Sequence, residues 1–419
     1  MSEPLDVVVL GAGMVGTATA VYLRRAGLST VLMDRRGAGE ETSYGNAGFI
    51  QREALHPYLM PRNLLRLLRY GLNRSTDVHY HPASLLHVAP FLVRYWMNSD
   101  SASARRTFEA NIPIFARCLE THEELARAAG AEGLIARKGW IRLFRHEQSV
   151  KARQGQIDDL AEQGIDAGFV EADALKELEP DVDQRVVAGA IHYRAPWTTN
   201  DPGALTKAYC GLFEAEGGRF VRGDAMSARR EGGRWRIDAA DGSVVEATRI
   251  VVALGPWSGT FLKRLGQSVP LGVKRGYHRH YRPQGTASLS RPVTDDDSGF
   301  ALAPMRQGIR LTTGAEFALR DAPKTPVQLA RDLPRARELF PLGEAVEPEP
   351  WMGARPVLPD MLPAIGRAPG LDDVWLNFGH AHHGLTLGPA TGLLLSQMMS
   401  GATCYCDPAP YDAKRFTGG

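Results

Sequence analysis

The chain has 419 residues, of which 44% are hydrophobic and 23% charged; this excludes a long disordered tract and calls for two closely packed domains rather than a single core. Its 49 basic and 47 acidic residues nearly cancel, so no nucleic-acid partner is expected, and the pair Arg66/Arg69 marks a local basic patch at most. Four cysteines (Cys118, Cys210, Cys404, Cys406) have neither framework nor zinc spacing and read as free thiols of a reducing compartment.

Residues 1–6 carry acids and no basic n-region, and no run of eighteen uninterrupted apolar residues follows, so the expected location is cytoplasmic. Peripheral contact with the inner face of a membrane stays open.

Residues 5–10 (LDVVVL) form a short β-branched run suited to a central parallel strand. A helix is predicted over 15–26, where Thr19, Tyr22, Leu23 and Ala26 recur at helical spacing, and a second strand over 28–33 completes a βαβ unit. Residues 84–168 read as helical, with Phe108, Ile112, Phe115 and Leu119 on one face. Asp201 and Pro202 cap a further helix, and a strand follows at 219–222. Residues 234–247 form a hairpin turning at Asp241-Gly242, and 250–255 (IVVALG) is another buried strand. From 272 to 340 alternating segments such as 277–281 and 309–313 predict an antiparallel, substrate-facing layer. A Pro-rich passage (355–363), a strand at 374–378, a Gly/His turn and a helix over 385–400 close the chain.

The element Gly11-Ala-Gly13-Met14-Val15-Gly16 follows a strand and opens a helix, the context in which backbone N–H groups and the helix dipole meet a pyrophosphate. Asp34, at the end of the second strand, is placed to accept ribose hydroxyls, with Arg35 and Arg36 as cover over an adenine. FAD and NAD(P) share this half. The separating segment is Thr42-Ser43-Tyr44-Gly45-Asn46-Ala47-Gly48, whose hydroxyls, amide and glycines suit either a loop running along a phosphate and ring system or a plain surface turn. His380, His382 and His383 crowd one turn, but no carboxylate or cysteine cluster accompanies them, so no metal is expected.

Together GAGMVG with Asp34, TSYGNAG, VVALGPWS around Gly255 and Trp257, GARPVLPDMLPAIGR (353–367) and FGHAHHGLTLGPATG (378–392) resemble the FAD-dependent D-amino-acid oxidase superfamily, and within it the bacterial D-amino-acid dehydrogenases. The resemblance implies an α/β fold. A Rossmann-type, glutathione-reductase-like FAD-binding domain (1–85, 186–262, 345–419) would join a substrate domain (86–185, 263–344) built on a mixed or antiparallel sheet plus helices. It implies non-covalent FAD, with Gly379, His380, Gly384, Leu385 and Thr386 beside the flavin and the last helix pointing its N-terminus at the pyrimidine edge. It places Arg355 on the substrate carboxylate, a role its planar fork suits, although an ion pair with Asp360 would also explain it.

Tyr277 would add a second bond to that carboxylate, or else is one more sheet aromatic, and His382 or His383 would face flavin or substrate. The implied reaction takes a small amino acid, a D-amino acid favoured, to the imino and then the 2-oxo acid, with hydride passing from the α-carbon to flavin N5. Quinone, a carrier protein or oxygen would accept the electrons. Proline, hydroxyproline or sarcosine are alternative substrates; an NAD(P)-dependent Rossmann enzyme and a non-autonomous electron-transfer subunit are alternative classes.

Overall fold

The computed structural model describes residues 5–73 and 78–417, and the side chains of Arg66 and Arg69 lie outside it. Five parallel strands make the first sheet, in the order Arg219–Arg222, Thr30–Asp34, Leu5–Leu10, Val244–Val252, Leu371–Phe378. Ala364–Ala368 adds antiparallel at one end, and the strands Arg229–Glu231 and Arg234–Asp238 pair onto the first half of Val244–Val252. The run 5–10 is apolar throughout because both its faces are covered. Val7 and Val9 belong to one core cluster, Val8 and Leu10 to another, and all four are fully buried.

The helix Met14–Arg25 crosses back over this sheet and packs against the last helix, Gly384–Ser400. Their contact depends on glycine: a Cβ on Gly392 would stand 2.8 Å from the Thr19 backbone nitrogen. The Asn377 amide donates to the Thr19 hydroxyl at 2.9 Å beside this contact. Residues 358 positions apart in sequence are thereby held together.

The second sheet has eleven strands, mostly antiparallel, organised on the long strand Gly272–Pro283. Gly308–Thr312 and Ala315–Phe317 pair with one edge of it and Trp351–Val357 with the other. Register puts Lys274 opposite Arg355 and Gly276 opposite Gly353, so these four share a face, while Arg275 and Tyr277 lie on the reverse. Segments 186–262 and 345–419, expected in the cofactor half, each send a strand into this sheet, Gly189–Tyr193 and Trp351–Val357.

Two readings of the sequence need correction. The passage from 355 begins within a strand; Pro356 is tolerated because Trp351–Val357 lies at a sheet edge whose outer side carries only an isolated bridge between Val357 and His380. Within 84–168 the helices Leu85–Met97, Ser101–Ala116 and Cys118–Ala128 form as expected, but Trp140–Phe144 is a strand. There the period is two: Trp140 and Phe144 enter one core, Ile141 and Leu143 another. Among the described residues no helix is long and apolar enough to cross a membrane.

Candidate functional site

The strand Leu5–Leu10 delivers the chain to Gly11, whose φ of 104° turns it toward the helix. Gly13 stands at the helix N-cap with no side-chain cap, and no acid occupies the first turn of Met14–Arg25. The Met14 N–H donates to the Ser43 hydroxyl at 2.9 Å, which brings the 42–48 segment onto the helix end. Asp34 ends its strand with one carboxylate oxygen accepting from the Ala12 N–H (2.7 Å) and the other from the Arg36 N–H (3.1 Å). Burial raises its pKa above the usual carboxylate value. Arg35 lies 4.4 Å over the Trp257 ring and pairs with Glu41 at 2.7 Å.

The 42–48 segment is more than a surface turn. From the larger sheet, the buried Arg310 donates to the carbonyls of Tyr44 (3.1 Å) and Asn46, and its Nε donates to His280 Nε2 at 2.9 Å. His280 is in turn held through Nδ1 by Glu347. Burial pushes the Arg310 pKa down to about 10, which leaves it charged at neutral pH. A side chain of one sheet thus fixes two carbonyls of a loop belonging to the other. Charge-assisted bonds of this kind are each worth about 1.5–3 kcal/mol, so Arg310→Ala is expected to weaken binding of the FAD that the family resemblance implies by about tenfold or more. Fluorescence titration of the deflavinated variant measures it.

At the other end of the chain, Gly379 (φ 89°) opens the histidine turn, Ala381 donates to the Pro356 carbonyl at 2.9 Å, and the turn runs into the last helix. His380 Nε2 bonds the Thr391 hydroxyl at 2.9 Å. His382 faces a ring of Tyr58 at 4.9 Å, whereas His383, at the helix N-cap, packs edge-on against Phe115 at 5.2 Å. Burial pushes the pKa of His380 down to about 3 and that of His383 to about 4; His382 falls well below 6.5 through burial, with Arg355 and Lys274 adding to it. All three are therefore neutral at physiological pH. Among the described residues no group of three His, Cys, Asp or Glu side chains converges as metal ligands would.

Both ends meet at one cavity of about 450 Å³, within the usual range for small-molecule sites. Most residues expected at a cofactor border it. Gly16, Gly48, Thr386 and His383 stand behind its wall: Gly16 seats the helix against the glycine turn, Gly48 backs onto the Thr199 carbonyl, and the Thr386 hydroxyl joins Phe49 and Gln51. His383 is accordingly a packing residue and not a group that faces the cavity.

Arg355 reaches the cavity from the larger sheet, folded over Gly276, and donates to the carbonyls of Gly314 (3.0 Å) and Thr313 (3.4 Å). Among the described residues it has no ion pair. Asp360, the alternative partner, is taken by Arg415 at 2.6 Å. Desolvation lowers the Arg355 pKa to about 10, and the half-buried guanidinium stands at the cavity wall as a cation without a counter-charge.

Tyr277 does not join it. The strand's alternation turns its side chain to the reverse face, where the hydroxyl accepts from Arg275 (2.6 Å) and the Thr325 N–H (2.9 Å) and donates to Glu316 (2.8 Å). Arg275 and Glu316 are fully buried and paired at 2.6 Å. Tyr277→Phe should therefore leave the Michaelis constant unchanged and cost about 1–3 kcal/mol of stability by stranding buried polar groups, read by denaturant unfolding beside substrate titration.

Sequence reading missed Tyr58, Arg142, Trp140 and Trp351, all of which line the cavity. Arg142 could have been found as the single cation in the alternating strand 140–144; Tyr58 sits in a segment without periodicity and gave no signal.

These features define a dinucleotide-binding α/β protein whose larger sheet closes a cation-lined chamber over the nucleotide end. A model of the FAD dependent oxidoreductase family matches residues 6–398, and the chain belongs to that family. A D-amino acid dehydrogenase of Chromohalobacter salexigens is 29% identical, covering 98% of this chain and 100% of the relative. A D-amino-acid oxidase of Bradyrhizobium diazoefficiens is 28% identical over 99% of this chain and 100% of its own. Among solved structures, glycine oxidase from Geobacillus kaustophilus superposes with a TM-score of 0.75 at 21% identity, covering 99% and 100% of the two chains. L-proline dehydrogenase from P. horikoshii gives 0.74 at 18% identity, covering 100% and 99%.

The protein is an FAD-dependent oxidoreductase, which sets the NAD(P) alternative aside. The residues present suit FAD. Two helices without acids in their first turns bring their N-termini to one chamber, and the glycine turn leaves its backbone open there.

Proposed function

We propose that the protein oxidises the carbon–nitrogen bond of a small amino acid, a D-amino acid favoured, to an imino acid that water converts to the 2-oxo acid. The observation that carries this reading is Arg355: a half-buried guanidinium on the cavity wall has no acid partner, and a substrate carboxylate is the anion that would complete it. Relatives of full length that are named for D-amino acids support the choice of substrate.

FAD, when bound, would supply the two-electron acceptor; Gly11, Gly13, Met14 and Val15 would hold its phosphates, Asp34 and Arg35 its adenosine, and the 42–48 and 379–386 segments its ring, while none of the four cysteines borders the chamber. Arg355 fixes the carboxylate and so orients the α-carbon. Neutral His382, packed on Tyr58, adds no competing charge; the α-hydrogen leaves as hydride, so no side chain in the chamber need act as a base if the amine binds unprotonated.

The test is anaerobic bleaching of the flavin absorbance by a panel of D-, L- and N-methyl amino acids and proline, followed by reoxidation with dioxygen or a dye. Bleaching by D-amino acids is the expected result. If amines lacking a carboxylate bleach as well as amino acids do, the reading is overturned.

A further inference from the structure

The chamber holds a second guanidinium that the reaction above leaves unused. Arg142 lies on the strand Trp140–Phe144, and register carries its face across the larger sheet: Arg142 stands opposite Thr294, Thr294 opposite Ala301, Ala301 opposite Thr312, and Thr312 opposite His278. Directly opposed residues share a face, and all five line the chamber. Arg355 reaches the same face over Gly276, beside Thr313. Thr312 and Arg142 are three strand spacings apart, about 14 Å between backbones, close enough for two arginine side chains to hold one small molecule between them. Tyr58 marks the gap. Burial raises its pKa, and Arg142 and Arg355 both oppose the rise, so a single phenol lies within electrostatic reach of both cations.

The protein itself satisfies Arg142 poorly. Among the described residues its one ion pair runs from Nε to Asp296 at 3.6 Å, and Asp296 is bound more closely by Arg153, at 2.6 Å. Its one hydrogen bond, to the Gln156 side-chain oxygen, is 3.4 Å long. The rings of Trp140 and Tyr193 stand 5.3 and 5.4 Å from it, which holds the guanidinium against the wall without neutralising it. The other acids nearby are engaged. Asp295 pairs with Arg145 at 2.6 Å, and Glu53 accepts from Trp140 Nε1 at 2.7 Å and from the Gln51 amide at 3.0 Å. Across the ladder from Arg142, the Thr294 hydroxyl is buried with no partner among the described residues. A planar fork with N–H groups to spare, next to an unpaired hydroxyl, suits a second carboxylate.

We propose that Arg142 is a specificity-determining residue that binds a carboxylate on the substrate's side chain, so that the preferred substrates are acidic amino acids held at both ends. This rests on the reading of Arg355 as the clamp for the α-carboxylate and adds the side-chain chemistry which that reading leaves open. Asp295 and Asp296 also line the chamber, but each is already paired with an arginine, so the wall offers no spare negative charge to a cationic side chain.

The experiment assays the holoenzyme, by anaerobic flavin reduction and dye-coupled turnover, on two isosteric pairs: D-glutamate against D-glutamine and D-aspartate against D-asparagine, with D-alanine and D-lysine alongside. At least one acid is expected to exceed its own amide in kcat/KM by about tenfold or more, because the members of a pair differ in charge and not in size. Arg142→Gln should bring that ratio to about one, and Arg142→Lys, which keeps the charge without the fork, should restore part of it. Should Arg142→Gln lose its flavin, Arg142→Lys and the parent's own ratios carry the test. Amides turned over as well as acids, or D-lysine ahead of both, overturn the proposal and leave the role of Arg355 standing. If no amino acid reduces the flavin, D-alanine included, the reading of Arg355 falls and this proposal falls with it.

Discussion

Arg355→Ala is expected to lower kcat/KM for the amino-acid substrate by about 10²- to 10³-fold, the consequence of removing one member of a buried hydrogen-bonded charge pair worth roughly 3–4 kcal/mol. Most of the loss should appear in KM, because the guanidinium holds the carboxylate in the ground state as well as in the transition state. Arg355→Lys keeps the charge and loses the planar fork, so it should recover only part of the activity.

The unliganded variant should not be less stable. Arg355 contacts two backbone carbonyls and no acid, and its charge depresses the pKa of its neighbour Lys274, pushed down to about 7 chiefly by burial. Removing Arg355 relieves that repulsion and strands no carboxylate. The variant should stay yellow and melt at or above the parent temperature while failing on substrate. Unchanged steady-state kinetics would remove Arg355 from the site, and loss of flavin would make it structural instead.

The parts of the fold that could be read from sequence are those where one local rule dominates. The run 5–10 is buried on both faces, and Gly11, Gly16 and Asp34 occupy positions fixed by backbone geometry, so periodicity and spacing sufficed. Arg355 came from family resemblance, yet its lack of a partner emerges only in three dimensions, since nearby Asp360 is claimed by Arg415 from the far end of the chain. Tyr277 failed for the converse reason. Alternation puts it on the face of Arg279 and Tyr281, but which face meets the cavity depends on the pairing with Trp351–Val357, whose last residues read in sequence as the start of a Pro-rich passage. The Glu347–His280–Arg310 series joins residues that only the larger sheet brings together, and no spacing betrays it.

Gly16→Ala is expected to yield protein largely without FAD. A methyl group there would stand 1.8 Å from the Gly11 carbonyl oxygen, and backbone cannot rotate away as a side chain can. Either the helix Met14–Arg25 lifts or the glycine turn opens, and both movements displace the N–H groups that face the chamber. Overpacking of this kind typically costs 1–3 kcal/mol, and here the strain falls on the element that receives the cofactor, so affinity for FAD should fall about 10²-fold. Gly211→Ala separates this effect from substitution of a helical glycine in general. Gly211 lies inside the helix Pro202–Ala215 with nothing within 4 Å of an added Cβ, so alanine should be neutral or stabilising by about 0.5–1 kcal/mol through backbone entropy. Absorbance at the flavin band relative to the protein band measures both variants. Full flavin occupancy in Gly16→Ala would mean that the cofactor does not depend on close seating of the first helix, and the assignment of the glycine turn to its phosphates would have to be abandoned.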